Sequence, residues 1–102
     1  MSSSENEWSE IKDASISVPT HVVFRDLAHE TVLLNITTGQ YHGIDAIGAR
    51  FFAAMRDSAN LQEAAKTMAV EFSQPLDRIE ADLAAFGAQM VSLGLIELHT
   101  PS

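Results

Sequence analysis

The feature that most constrains this chain is a change in the period of its apolar residues near residue 44. Before that point, residues 21–27 are rich in β-branched and aromatic side chains, and residues 31–36 alternate with period two, as is typical of strands. Residues 40–44 form a third short run after a connection that contains Gly39. After residue 44, apolar residues recur every three or four positions, the period of an amphipathic helix. This order predicts an α+β domain in which a three-stranded antiparallel β-meander is followed by a three-helix bundle.

The third predicted strand, residues 40–44, lies at an edge of the meander. Gly39 in the short connection before it suits the positive φ of a tight turn, and in the preceding strand Val32, Leu34 and Ile36 share one face. Edge strands are usually protected from pairing by charge, proline or a bulge. Residues 40–44 contain no charged residue and no proline, so this edge is unprotected unless Gly43 marks a bulge. Such an edge can accept a peptide as an added strand, or it is covered by another part of the same chain.

Each predicted helix has a recognisable start. Asp45 suits the N-cap of the first helix, and Gly48 in its first turn indicates a close approach of another element. Asn60, with a glutamate three residues later, suits the N-cap of the second. The third is the longest. Pro75 suits its first helical position, apolar residues follow steps of three and four from Leu76 to Leu93, and Gly94 ends it as the C′ residue.

Composition limits the functions open to this chain. It has 102 residues, enough for one domain, and 14 acidic against 6 basic side chains give a formal charge of -8. The six cations are spread singly, which disfavours nucleic acid and anionic membranes as partners. There is no cysteine, the four histidines show no metal-binding spacing, and no nucleophile or phosphate-loop motif occurs. We therefore expect no metal, no cofactor and no enzymatic activity.

The two ends of the chain differ in character from its middle. Residues 1–14 are acidic and read as a flexible tail, residues 15–98 as the domain, and residues 99–102 as a short C-terminal tail. The N-terminus has neither the positive charge nor the apolar run of a signal peptide, and no stretch reaches the roughly 20 apolar residues of a membrane helix. These features predict a cytoplasmic protein.

Residues 31–44, TVLLNITTGQYHGI, together with Gly48 and the order of three strands and three helices, resemble the PqqD-like family. The resemblance rests on a Leu-rich strand, a TG.Y turn and a glycine in the first turn of the first helix, and it extends from Val18 to Leu98. Ile44-Asp45 stands where many members have Leu-Asn, a small departure because Asp caps a helix as well as Asn does.

The resemblance implies a winged helix-turn-helix-like domain that recognises the leader segment of a ribosomally made precursor peptide. In that family the leader adds as a strand beside the third strand, opposite the third helix. The bound leader is then delivered to a modifying enzyme such as a leader peptidase. Within the family, this chain resembles the lasso-peptide branch most. Carried over by position, the implied peptide-binding residues are Gln40, Tyr41, His42, Gly43 and Ile44 on the strand, and Arg78, Ile79, Asp82, Leu83, Phe86, Gln89 and Met90 on the helix.

Several of these residues have a second interpretation. Leu83 and Phe86 are also candidates for the core, Met90 could serve in either place, and Asp82 could pair with Arg78 one turn away. Two other functions stay open for the whole chain: a winged-helix DNA-binding regulator, disfavoured by the acidic third helix, and a homodimeric structural subunit that pairs through the same edge strand.

Overall fold

The computed structural model describes residues 8–101. The predicted meander and the three helices after it are confirmed: three antiparallel strands pair in the order β2-β3-β4, and the helices follow. A two-stranded ribbon of β1 and β5, which the sequence pattern did not reveal, joins the two ends of the fold. The elements are β1 (Ser15–Ser17), β2 (Val22–Asp26), β3 (Thr31–Asn35), β4 (Gln40–Ile44), α1 (Ala46–Asp57), α2 (Leu61–Phe72), α3 (Leu76–Ser92) and β5 (Glu97–His99).

The helix ends follow the sequence closely. Asp45 and Asn60 are the N-caps of α1 and α2, and each side chain accepts a hydrogen bond from the backbone N–H three residues later, at 2.9 Å. Pro75 is the N-cap of α3 and not its first helical residue. Gly94 (φ +73°) ends α3 in a Schellman motif, in which its N–H bonds to Val91 O and the next N–H bonds to Met90 O.

One face of the meander packs on the helices. Thr31 and Leu33 of β3 point inward and are buried, so Val32 and Leu34 share the outer face, while Ile36 lies beyond the end of the strand. Period-two alternation had grouped these outward residues but could not say which face is buried. The largest fully buried apolar side chains come from β3, from all three helices and from the segment after α3: Leu33, Phe52, Met55, Leu61, Met68, Leu83, Leu95 and Ile96.

The N-terminal segment differs from the expected flexible tail. Residues 8–11 form a helical turn, and Trp8 and Ile11, three positions apart on one side of it, pack against the core. The backbone carbonyls of Lys12 and Ala14 accept hydrogen bonds, each 2.9 Å long, from the first N–H groups of α2, which have no acceptor within their own helix. At the other end, His99 pairs with Ser15 and so belongs to the ribbon. Residues 1–7 of the expected tail lie outside the described residues.

Charged side chains tie helix α1 to its neighbours. Arg50 donates two hydrogen bonds of 2.8 Å to the carboxylate of Glu71 on α2, and this pairing lowers the pKa of Glu71 and raises that of Arg50. Arg56 reaches the sheet, where its guanidinium lies over the rings of Phe24 and Phe52 and contacts Asp26 at 3.2 Å. Within residues 8–101, no helix has the length and apolar character needed to cross a lipid bilayer.

Candidate functional site

Strand β4 is an open edge of the three-stranded sheet. Among residues 8–101 it pairs with β3 alone, in an uninterrupted register from Asn35↔Gln40 to Thr31↔Ile44. Gly43 sits opposite Val32 in that register, so it does not mark a bulge. The edge predicted from the sequence is therefore present and continuous.

The hydrogen bonds of β3 decide which groups of β4 are unpaired. At one end of the β2–β3 pair Leu27 N–H bonds to Glu30 O, and at the other Ile36 N–H bonds to His21 O, each at 2.8 Å. Hydrogen bonding alternates along an antiparallel pair. The backbone N–H and C=O groups of the even-numbered residues of β3 therefore point toward β2, and those of its odd-numbered residues point toward β4. Gln40, His42 and Ile44, which lie opposite the odd-numbered residues, therefore bond to β3.

It follows that Tyr41 and Gly43 direct their backbone N–H and C=O groups away from the sheet, toward the open edge. The opposite edge of the same sheet is different, since β2 ends in the exposed charged residues Arg25 and Asp26. Charge on an edge strand discourages pairing with another chain, and β4 carries none. Of the two edges, β4 is the one suited to receive a further strand.

A groove runs between the edge of β4 and helix α3. It consists of two adjoining depressions of about 330 and 360 Å³, which share Gly43, Ile44, Phe86 and Gln89. The first exposes somewhat more polar than apolar surface, whereas the second is mainly apolar and runs onto the first turns of α1. The remaining lining residues are Leu33, Tyr41, His42, Met90, Leu93 and Leu95 in the first depression, and Asp45, Ile47, Gly48 and Phe51 in the second.

A third depression, of about 250 Å³, continues the groove past the end of β4. Ile47 and Phe51 line both it and the neighbouring depression, so an extended chain leaving β4 at Ile44 would pass over them. Its other apolar walls are Phe72 and Ile79, and its polar groups are Gln74, Arg78 and Asp82. The surface available to an extended ligand is therefore longer than β4 itself.

The structure brings most of the sequence-predicted site residues together along this line. The strand residues from Tyr41 to Ile44 line the groove with Phe86, Gln89 and Met90, although Met90 is only 3% exposed. Arg78, Ile79 and Asp82 lie in the third depression. Gln40 starts the edge strand but lines none of the three depressions described.

Leu83 lies apart from this set. Its side chain is wholly buried in the core and lines none of the three depressions, because it occupies the face of α3 that points at the other helices. Sequence reasoning missed Leu93, Leu95, Ile47 and Phe51 as lining residues. The sequence signal nearest to these residues was Gly48, which also lines the second depression. A glycine in the first turn of a helix indicates that another element approaches closely there.

The charges of the groove are few. Asp45, Arg78 and Asp82 are the charged residues that line the three depressions. Arg78 and Asp82 lie one helical turn apart on α3, but no guanidinium nitrogen of Arg78 comes within 4.0 Å of a carboxylate oxygen of Asp82. They are therefore not among the ion pairs formed within residues 8–101. No group of three or more His, Asp or Glu side chains converges within the described part of the chain. Apolar contact and backbone hydrogen bonds are therefore what this groove offers.

Two glycines inside helices provide a matched test of how closely the groove is packed. A Cβ at Gly48 would lie 2.9 Å from Ile44 Cγ2 and 3.2 Å from Phe86 Cε1, whereas a Cβ at Gly87 on α3 would meet only Met55 Cε at 3.7 Å. Alanine favours a helix by about 1 kcal/mol over glycine. We expect Gly87→Ala to raise the free energy of unfolding by up to about that amount and Gly48→Ala to lower it.

Chemical denaturation of both variants measures this difference. Equal stabilisation by the two alanines would show that Ile44 and Phe86 move apart easily and that Gly48 is not needed for the close approach.

Comparison with known proteins agrees with this geometry. A search of the curated proteins returned no match. Among solved structures, "TbiB1 in Complex with the TbiA(beta) Leader Peptide" is similar, with a TM-score of 0.74 and 28% sequence identity over 79% of this chain and 94% of that chain. The family model described as Coenzyme PQQ synthesis protein D (PqqD) matches residues 30–96, a span that contains β3, β4 and all three helices. Since this match covers well over half of its residues, the chain belongs to the PqqD family.

Proposed function

We propose that this protein binds the leader segment of a ribosomally made precursor peptide and presents it to a processing or modifying enzyme, without itself catalysing a reaction. Membership of the PqqD family supports this proposal, as does the structural similarity to TbiB1, which was solved in complex with a leader peptide. A lasso-peptide or related pathway is the setting we expect. The encounter takes place in the cytoplasm, where precursor peptides are synthesised.

The observation that carries the proposal is the pair of outward-facing residues on β4. Tyr41 and Gly43 offer two N–H donors and two C=O acceptors along an edge with no charge, and the groove lies directly beside them. An added strand would satisfy these groups with backbone hydrogen bonds, which do not depend on the sequence of the ligand. Affinity can then come from the backbone, and selectivity from the side chains that enter the groove.

The groove also indicates what kind of segment fits. Alternate side chains of a strand added to β4 would point to the inner side of the sheet, where Ile44, Phe86 and Leu93 form apolar walls. The opposite side chains would point to the outer side, beside Tyr41. We therefore expect the bound segment to be extended, with apolar residues at alternate positions over the length of β4.

The same geometry weighs against a DNA-binding regulator. A winged-helix protein uses a basic helix on DNA, but the first half of α3 presents Asp77, Glu80 and Asp82 with Arg78 as its only cation. The net charge of -8 would further repel a phosphate backbone. Peptide recognition needs neither a basic helix nor a positive surface.

Amide hydrogen exchange, followed by NMR, tests strand addition directly. In the free protein, the amides of His42 and Ile44 are bonded to β3 and should exchange slowly, whereas those of Tyr41 and Gly43 should exchange fast. On titration with a candidate leader peptide, with the TbiA(beta) leader as the first probe, we expect Tyr41 and Gly43 to become protected. Saturable binding that leaves these two amides unprotected would contradict strand addition.

A further inference from the structure

Residues 8–17 form an N-terminal segment that is attached to the helices at several points, and we call this segment the brace. It consists of the helical turn of residues 8–11, a short connection and β1. Trp8, Ile11 and Ile16 pack against the core, and Ala14 is wholly buried. The backbone carbonyls of the brace that accept hydrogen bonds from the start of α2 add to these apolar contacts.

Strand β5 depends on the brace for its position. Within residues 8–101, β5 pairs with β1 alone. Ile16 lies opposite Leu98 at the centre of this ribbon, and both side chains pack against the core. The Ser17 hydroxyl is hydrogen-bonded to Nε2 of His99 at 2.6 Å. The family model matches residues 30–96, so both strands of the ribbon lie outside it and the match assigns them no role.

The chain runs from one wall of the groove directly into β5. Leu93 is the C-cap of α3, and Leu95 comes two residues before Glu97, the first residue of β5. Leu93 and Leu95 line the first depression together with Tyr41, and neither lines the second or the third. The position of these two leucines therefore depends on how firmly β5 is held.

We propose that the brace positions the groove for its ligand, because by holding β5 it keeps Leu93 and Leu95 where they contact the bound leader. This inference rests on the proposed leader binding. Chain ends and helix ends fray unless other contacts hold them. A side chain that is already immobile in the free protein loses no further freedom on binding, and for two leucines this is worth about fivefold or more in affinity.

The brace should act on one end of the groove. Tyr41 lines the first depression alone, beside the two leucines that the brace holds. Gly43 lines the second depression as well, and there Phe51, a buried residue of the core, is one of the walls. Loss of the brace should therefore loosen the bound leader at Tyr41 more than at Gly43.

Ile16→Asp tests the brace in the full-length protein. It places a charge at the centre of the ribbon, opposite Leu98, and Ile16 lines none of the three depressions. In the free protein, the amide of Leu95, which donates to Met90 O, should exchange faster than in the parent. The amide of His42, which bonds to β3, should exchange as before.

The same variant is then titrated with the TbiA(beta) leader or another leader peptide that binds the parent. We expect the affinity to fall at least about fivefold, since the two leucines must now be ordered on binding. In the complex, the protection of the Tyr41 amide should fall more than that of Gly43.

A disulfide across the ribbon provides the matched control, because the chain has no cysteine of its own. Ser17 and Glu97 lie opposite each other, and opposed residues of antiparallel strands have Cα atoms about 4.5–5.5 Å apart, within the range that a disulfide spans. In a protein that combines Ile16→Asp with Ser17→Cys and Glu97→Cys, oxidation should restore the affinity of the parent and reduction should remove it again.

Phe52→Ala, a substitution in the core, distinguishes positioning from a general loss of stability. It should cost more stability than Ile16→Asp but leave the affinity of the folded protein near that of the parent. An equal loss of affinity in folded Phe52→Ala, unchanged affinity in folded Ile16→Asp, or no recovery on oxidation would each overturn the role of the brace. Failure of the parent to bind any leader peptide would instead contradict the proposed function, and the exchange of Leu95 tests the brace without a peptide.

Discussion

Replacing Gly43 by proline should weaken leader-peptide binding at least about tenfold while leaving the protein folded. Proline removes the N–H that faces the open edge, and its ring occupies the space where the backbone of an added strand would lie. One lost hydrogen bond contributes about 0.5–1.5 kcal/mol, and the clash with the ligand backbone adds to it, whereas tenfold corresponds to 1.4 kcal/mol. Titration of a labelled leader peptide, followed by fluorescence anisotropy, measures the change.

Gly43→Ala is the matched control for this experiment. A Cβ at Gly43 meets no atom within 4 Å and its φ is not positive, so alanine fits there and keeps the N–H group. Proline is tolerated on an edge strand where its nitrogen faces outward, and the circular dichroism of both variants should match that of the parent. If folded Gly43→Pro binds the leader as tightly as Gly43→Ala does, the backbone of β4 is not what holds the peptide.

Replacing Phe52 by alanine should have the largest effect on stability, lowering the free energy of unfolding by about 3–5 kcal/mol. Phe52 is wholly buried, meets Phe24 of β2 edge-to-face with ring centroids 5.1 Å apart, and carries the guanidinium of Arg56. Alanine leaves a cavity at the junction of sheet and helices. A loss of this size is a large part of the 5–15 kcal/mol that stabilises a typical domain.

Thermal and urea denaturation measure this loss. At about 4–8 °C per kcal/mol for a domain of this size, the midpoint should fall by roughly 12 °C or more. Val70→Ala on α2 is the matched control, because Val70 is 81% exposed and its truncation should change stability by no more than about 0.5 kcal/mol. Similar midpoints for the two variants would show that the sheet and helices are not held together at Phe52.

These two substitutions separate the stability of the fold from the affinity for the leader peptide. Phe52 fixes the sheet against α1 and never reaches the groove, so at temperatures where Phe52→Ala is still folded its affinity for the leader should stay near that of the parent. Gly43 contributes nothing to the core and acts only through a backbone group. Stability and binding therefore depend on different residues in this small domain.

Local sequence predicted the elements well because each has a physical signal within a few residues. Asp45 and Asn60 accept the hydrogen bonds that begin their helices, and Gly94 adopts the positive φ that ends α3. The edge strand was predictable too, since residues 40–44 follow a short connection that contains Gly39 and carry no charge. Gly48 indicated that another element comes close to the start of α1, and side-chain atoms of Ile44 and Phe86 are the ones that do.

Contacts between distant parts of the chain left no comparable signal. The ribbon joins Ser15 to His99, and three-residue strands are too short for period two to be recognised. Trp8 and Ile11 read as part of a polar tail because the surface that receives them is formed by residues far along the sequence. Leu83 and Phe86 belong to the same helical stripe, yet one is in the core and the other lines the groove.

The sequence by itself determined the order of the three meander strands and the three helices, the N-caps of α1 and α2, the uncharged edge and the family. Tertiary structure alone decided which face of the sheet is buried and which residues of α3 reach the groove. It also decided that Tyr41 and Gly43 are the residues of β4 whose backbone groups find no partner strand within residues 8–101. The physical reason is that periodicity shows which side chains share a face. Burial and the direction of backbone hydrogen bonds depend instead on what packs or pairs on each side.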